Sequence, residues 1–454
     1  MSNAPAKNYS KDMTVGAPTA LLLSFMLPMM MGNIFQQFYN IVDTIIAGRF
    51  IDAKALAAVG STGSTTNLFF ALGNGLATGI GILVSQNFGS GDMKNVRKVI
   101  TNAFVIVSLT SLFVGSLGFI FSKPVLTHFL KTPADILDMA ASYMAITCIG
   151  FIGTALYNTI SYIMRGVGDS KTPLYFLIAS SFINVFMDLL FVIVFDMGVV
   201  GLALATITAQ AISAAGSIIY AFLKNPVFKI EKSDWKLDKD IIKKCYALGG
   251  SMALQSGLIA LSFVILQRVI NSFDYLVVAA FTTTSKIENI VNMQFKALQD
   301  SLSTFTGQNI GAKKGERVKK GFKSGATMMV IYAVVMIIVM MLFGDVLVKI
   351  FIDAKETEII AFGSKAMKIL SCFYLPLGMI YVCRGILNGA GDAMFPLISG
   401  IAEMTGRVIF PAFLCSLPFL GAWGLWVSTG VTWTIVGCTA LVRYTMKDWR
   451  GGLF

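Results

Sequence analysis

Gln86-Asn87-Phe88-Gly89, with Val96-Arg97-Lys98 soon after it, returns 222 residues later as Gln308-Asn309-Ile310-Gly311 with Val318-Lys319-Lys320. Two further phrases recur at an offset of 223: Arg165-Gly166-Val167-Gly168-Asp169 with Pro173 against Asn388-Gly389-Ala390-Gly391-Asp392 with Pro396, and Gly198-Val199-Val200-Gly201-Leu202 against Gly421-Ala422-Trp423-Gly424-Leu425. Three phrases kept in register over such a distance predict a chain built from one pattern used twice.

What is repeated is apolar. Of 454 residues 56% are hydrophobic and 13% charged, with mean hydropathy +0.74, whereas a soluble domain carries about 25% charged residues. A spanning helix needs about 20 largely apolar residues. The chain offers twelve such stretches: 17–48, 54–85, 95–121, 133–164, 171–196, 198–224, 239–271, 274–308, 317–347, 355–385, 394–417 and 421–444. The runs are continuous and far longer than the alternating strands of about 10 residues that a β-barrel uses. Each half holds six, an even number, so both halves enter and leave on one face. The prediction is an all-α membrane protein with two parallel six-helix lobes related by a pseudo-two-fold axis along the membrane normal. The lobes are 1–224 and 239–454, joined by a polar linker at 225–238 that contains Pro226 and an amphipathic anchor, Trp235.

The net charge of +12 invites a nucleic-acid reading, and its placement argues against one. By these spans 24 of the 36 Lys and Arg fall at the termini or in loops of one face, which predicts a multi-pass protein of the cytoplasmic membrane with both termini and the basic loops in the cytoplasm. Six scattered cysteines show neither a disulfide framework nor a CxxC site. The leader MSNAPAKNYSKDM lacks an apolar core ending in a cleavage site. His128 is the sole histidine, so no histidine metal cluster or catalytic triad can be assembled.

Inside the first apolar stretch lies Asn33-Ile34-Phe35-Gln36-Gln37-Phe38-Tyr39-Asn40-Ile41-Val42-Asp43-Thr44. Its polar positions step by three, four and seven, so a helix gathers them into a stripe ending in a carboxylate. An intramembrane Asp marks a functional site by default. On the fifth stretch Asn184 and Asp188 are four apart and share a face. At 1.5 Å per residue, Asp43 lies about 8 Å from the outer end of its helix, and Asp188 and Thr206 about 12 Å. Two carboxylates at one depth, with amide and hydroxyl oxygens, can hold a monovalent cation such as Na+ or share protons, and the two occupants compete.

Leu27-Pro28, Val42-Asp43-Thr44-Ile45-Ile46-Ala47-Gly48-Arg49, Ser85-Gln86-Asn87-Phe88-Gly89-Ser90-Gly91-Asp92 and Met164-Arg165-Gly166-Val167-Gly168-Asp169-Ser170-Lys171-Thr172-Pro173 resemble the multidrug and toxic compound extrusion (MATE) family. The similarity covers essentially the whole chain. It implies no enzyme and no organic cofactor, but a monomeric exporter of amphipathic, often cationic, drug-like compounds in exchange for H+ or Na+, working by alternating access. The resemblance also implies a coupling site in the N-terminal lobe, with Asp43, Asn184, Asp188 and Thr206 as its residues, Asn158 as an outer member and Pro28 as a bend in the first helix. Met30, Asn33, Gln36, Gln37, Tyr39 and Asn40, with Glu288 from the other lobe, are candidates for the substrate cavity. Soft residues around the stripe, Met29, Phe35 and Phe38 among them, suit a binder of varied amphiphiles.

The repeat sets its own test. Asp43 maps onto Ile265, Asn184 onto Arg407 and Asp188 onto Pro411. The second half has no acidic pair there, which predicts cation binding in one lobe only. Its charges are expected to neutralise along their own helices, Lys296 with Asp300 and Glu403 with Arg407. Two rival readings carry distinct signatures. A flippase for a lipid-linked oligosaccharide needs a cationic pyrophosphate pocket, against the acidic cluster here. An intramembrane aspartyl protease would use Gly166-x-Gly168-Asp169, yet that phrase recurs at Gly389–Asp392 and sits at a cytoplasmic helix end, as a duplicated turn does. Gly75 and Gly79 form a small-xxx-small pair, a packing signal.

Overall fold

The computed structural model describes residues 11–446, and among these it is all-helical, without strands. Apolar segments of this length satisfy their backbone groups internally only as helices. Fourteen α-helices follow one another: α1 Pro18–Ile46, α2 Ala53–Gly89, α3 Met93–Pro124, α4 Ala134–Ile149, α5 Phe151–Gly166, α6 Lys171–Asp188 and α7 Gly198–Lys224, then α8 Lys239–Ile270, α9 Tyr275–Gly311, α10 Gly315–Lys349, α11 Thr357–Ser371, α12 Tyr374–Ala390, α13 Met394–Cys415 and α14 Gly424–Thr445. Among the described residues nine helices are long and apolar enough to cross a membrane, or eleven with each bent pair counted as one span. The predicted span at 274–308 is not among them. α9 is long enough but too polar, carrying Lys286, Glu288, Lys296 and Asp300.

Two predicted spans are broken. α4 and α5 bend by 44° and α11 and α12 by 51°, at points 223 residues apart. In the first half the break falls at Gly150, where a Cβ would run into the Ile207 side chain of α7. In the second half Phe373 stands at the break, and the residue facing it from α14 is Gly430, whose Cβ would meet the Phe373 ring. Glycine and bulky residue have changed places, so the fit is kept. With each bent pair as one rod the fourteen helices become twelve, six on either side of 225–238.

The repeated phrases are the corners of this architecture. Positive φ occurs at Gly91 (77°) and Lys313 (57°), at Gly168 (91°) and Gly391 (86°), and at Gly198 (55°) and Gly421 (48°). Each pair sits at the repeat offset. Helix starts are duplicated too: Asp52 accepts from Ala55 N at 2.6 Å to open α2, and Asp274 from Val277 N at 3.1 Å to open α9. The Gly-Asp phrase is a turn in both halves. Asp169 accepts from Lys171 N and Thr172 N at 3.1 and 2.9 Å, and Asp392 from Met394 N and Phe395 N at 3.0 and 3.2 Å. A protease carboxyl would not be tied up as a helix cap.

The chain divides into two compact units, Met1–Met13 with Leu27–Ala253, and Thr14–Met26 with Leu254–Phe454. The segment 225–238, read from sequence as the link between lobes, belongs to the first unit and docks on α3. Arg97 donates to Asp234 at 2.9 Å, Thr101 to the Asp234 carbonyl at 2.6 Å, and the Asp238 N–H to Asn102 at 3.0 Å. The change of unit comes instead inside α1 and α8. Within the first unit, α8 crosses α2 where a Cβ on Gly75 or Gly79 would strike the backbone of Ala253 or Gly249. Within the second, the positions equivalent to those glycines are Ala297 and Ser301, and the Ser301 hydroxyl reaches the Leu22 carbonyl of α1 at 3.2 Å. α1 stays helical through Pro28, and its change of unit falls two residues earlier, at Met26–Leu27.

Candidate cation site in the first unit

α6 and α7 run antiparallel, in a register fixed by two hydrogen bonds. Ser213 donates to the Phe176 carbonyl at 3.4 Å and Ser180 to the Ala209 carbonyl at 3.3 Å. One turn further, Asn184 comes level with Ala205 and Thr206; a second turn brings Asp188 level with Gly201 and Leu202. α6 is anchored at its start, where the Tyr157 hydroxyl of α5 donates to the Pro173 carbonyl at 3.0 Å. α1 lies against α6 at Gly32, where a Cβ would come within 3.1 Å of Leu177.

This arrangement brings Asp43 from α1 beside Asp188 from α6, carboxyl next to carboxyl. Asp188 is fully buried and Asn184 nearly so; Asp43 is half-buried. Both oxygens of Asp188, one of Asp43 and both polar atoms of the Asn184 amide are buried without a hydrogen-bond partner. An unsatisfied buried polar atom costs about 1–3 kcal/mol, so five in one cluster mark a place that a proton or a cation would relieve. Thr206 is half-buried and uses its proton on the Leu202 carbonyl at 3.1 Å, leaving oxygen lone pairs to accept.

Two residues join that the sequence reading missed. Gln210 of α7 has a buried, unpartnered Oε1 one turn beyond Thr206, a spacing visible in the sequence. Tyr143 of α4 packs against the buried cluster of Ile46, Ala47, Val192 and Leu202 and lies within electrostatic reach of both Asp43 and Asp188; its own helix carries no signal of it. Asn158 is engaged elsewhere, donating to Asn74 of α2 at 2.7 Å.

The α1 stripe divides by environment. Gln36 and Asn40 are exposed; Met30, Asn33, Gln37 and Tyr39 are half-buried. Asn40 donates to Gln37 at 3.3 Å, and Gln36 lies within hydrogen-bond reach of Tyr39. Apolar Met31, Ile34, Phe38, Ile41 and Ile45 form a separate exposed row, as on a helix with one face in lipid.

The second unit differs from expectation in one pair. Lys296 and Asp300 approach to 3.9 Å as predicted, but Glu403 pairs with Arg384 of α12 at 2.7 Å rather than with Arg407. Arg384 also donates to Ser399 at 2.6 Å. With the Gln255 carboxamide turned oxygen inward, it gains two further bonds at 3.1 and 3.2 Å. Glu288 is half-buried and accepts from Asn292 at 3.0 Å.

Against known proteins, the MatE family model matches twice, over residues 28–190 and 251–414. The chain is 31% identical over 446 residues to the probable multidrug resistance protein YpnP of Bacillus subtilis (strain 168), covering 97% of each. It is 26% identical over 412 residues to the probable multidrug resistance protein YoeA of the same organism, covering 88% of each. A solved multidrug resistance MATE family transporter of the MOP superfamily, in an outward-facing conformation, superposes with a TM-score of 0.89 at 20% identity, over 98% of this chain and 99% of that one.

Proposed function

Since the chain belongs to the MatE family of transporters, we propose that it is a secondary active exporter of amphipathic, cationic drug-like compounds, driven by H+ or Na+ through alternating access. It acts as a monomer in the cytoplasmic membrane, with both termini inside. The similarity to probable multidrug resistance proteins supports the substrate class.

The observation that carries the coupling assignment is the set of buried, unpartnered oxygens on Asp43, Asn184 and Asp188. Two carboxylates side by side in a low-dielectric site repel each other unless one is protonated or a cation lies between them. Hard oxygen donors from carboxylate, amide and hydroxyl fit Na+ as well as a proton. Asp43, Asp188, Asn184 and Thr206 would hold the ion, and Gln210 and Tyr143 border the same space. Loading neutralises the pair and favours the conformation in which α1 and α6 stay close. Emptying it restores the repulsion, and a cationic substrate then selects the other state. Export of a cationic dye from proteoliposomes under an imposed Na+ gradient, an imposed pH gradient, or no gradient tests the proposal: one gradient is expected to accelerate flux, and failure of both to do so contradicts ion coupling.

A further inference from the structure

The second unit repeats the helices that build the cation site, with different chemistry at the same positions. Thr429 donates to the Leu425 carbonyl at 3.1 Å, just as Thr206 donates to Leu202 at 3.1 Å, so the frame is preserved. Within it Arg407 stands where Asn184 does, and Ser262 where Asn40 does.

Arg407 and Arg384 lie in one unit and are equally buried, each 8% exposed, but they are used differently. Arg384 spends its Nη2 and Nε donors on Glu403, Ser399 and Gln255. Arg407 makes a single hydrogen bond, to the Ser262 hydroxyl at 3.3 Å, and its guanidinium lies 4.1 Å over the Phe263 ring. Five donors with one long bond leave most of the fork unspent. Glu403, four residues earlier, is already taken. The carboxylate within electrostatic reach is Glu288, which gives one oxygen to Asn292 and does not close a direct ion pair on Arg407. A charged side chain held in a membrane-spanning helix without a saturating partner is costly and marks a functional position. Tyr374 of α12 adds a fully buried hydroxyl with no partner, in reach of Glu288.

We infer that Arg407 and Glu288 form a second ligand subsite of opposed charges, which takes the anionic group of a zwitterionic amphiphile on Arg407 and its cationic part on Glu288. A flat aromatic ligand suits it, since Phe263 already presents one ring face to the guanidinium. That such a ligand is also exported rests on the exporter reading. The test is binding alone, without any gradient, so loss of ion coupling and loss of this subsite are read separately.

The probes are rhodamine B, which carries a free carboxylate and a cationic xanthene, and its ethyl ester, which keeps only the cation. Binding is followed by fluorescence anisotropy in lipid nanodiscs, with empty nanodiscs subtracted. Arg407→Gln is expected to weaken rhodamine B about tenfold, the size of one charge-assisted hydrogen bond, and to leave the ester within about twofold. Glu288→Gln is expected to weaken both probes. Arg407→Lys keeps the charge without the fork, so its acid-to-ester ratio should fall between wild type and Arg407→Gln; it carries the test should Arg407→Gln not fold. Equal effects of the Arg407 variants on both probes, or an unchanged ratio in Arg407→Lys, overturn the subsite. No effect of Glu288→Gln overturns the opposed-charge assignment.

Discussion

Arg384 closes on Glu403 at 2.7 Å, with both side chains under 10% exposed, and so takes the partner that Arg407 would have found one turn earlier on its own helix. The bond ties α12 to α13. Breaking a buried pair from one side costs about 3–5 kcal/mol, because the remaining charge stays buried alone. Arg384→Met is therefore expected to lower the thermal midpoint sharply in detergent, and Arg384→Met with Glu403→Met to recover most of the loss. A single variant as stable as wild type would show the pair to be idle.

The α2–α8 crossing has no room for side chains at Gly75 and Gly79. Gly79→Val should cost about 3 kcal/mol or prevent folding, since backbone rather than a movable side chain stands in the way. Gly60, on the same helix, faces open space within 4 Å. Gly60→Ala should gain up to about 1 kcal/mol from helix propensity. Size-exclusion profiles and melting curves of the two variants check the contrast.

Asp234 fixes the 225–238 segment to α3. Burial pushes its carboxyl up, but the Glu231 N–H and the Arg97 guanidinium outweigh that and hold it below the ordinary 3.8. A lowered carboxyl contributes its stabilisation in full above about pH 4 and loses it as pH falls through the lowered value. Trp235, next in sequence and half exposed, should therefore change its fluorescence on acidification below about pH 4. In a background with the other tryptophans replaced, Asp234→Asn should abolish that transition. A transition that persists in Asp234→Asn would place its origin elsewhere.

Asp169 and Asp392 serve as caps, and only the second also holds a cation, Arg443 at 2.8 Å. Asp169→Ala should cost about 1 kcal/mol of stability, and Asp392→Ala more, with export retained in both. Loss of all transport in a fully folded Asp169→Ala would give that carboxyl a role beyond the turn.

The periodicity of the sequence carried the helices and the repeat because both depend on local residues: left-handed corners such as Gly168 and Gly391 need particular residue types, and those types recur. The Asp43–Asp188 encounter was also legible, since depth along a helix follows from residue count. Partners that depend on how helices rotate against each other were not. Arg384 for Glu403, Tyr143 within electrostatic reach of the carboxylates and the docking of Asp234 on Arg97 each join residues of different segments. The breaks at Gly150 and Phe373 escaped for a related reason: each is set by a residue of another helix, Ile207 or Gly430, and the second break carries no glycine to announce it.

If Asp43 and Asp188 bind the driving ion, gradient-driven export in proteoliposomes by wild type, Asp43→Asn and Asp188→Asn, each verified as folded, shows it. Asparagine keeps the shape and removes the exchangeable charge. Both variants are expected to lose gradient-driven flux, by about tenfold or more if each carboxylate supplies an ion contact of roughly 1.5–3 kcal/mol, while substrate still equilibrates down its own gradient. Export at the wild-type rate in both variants would contradict it.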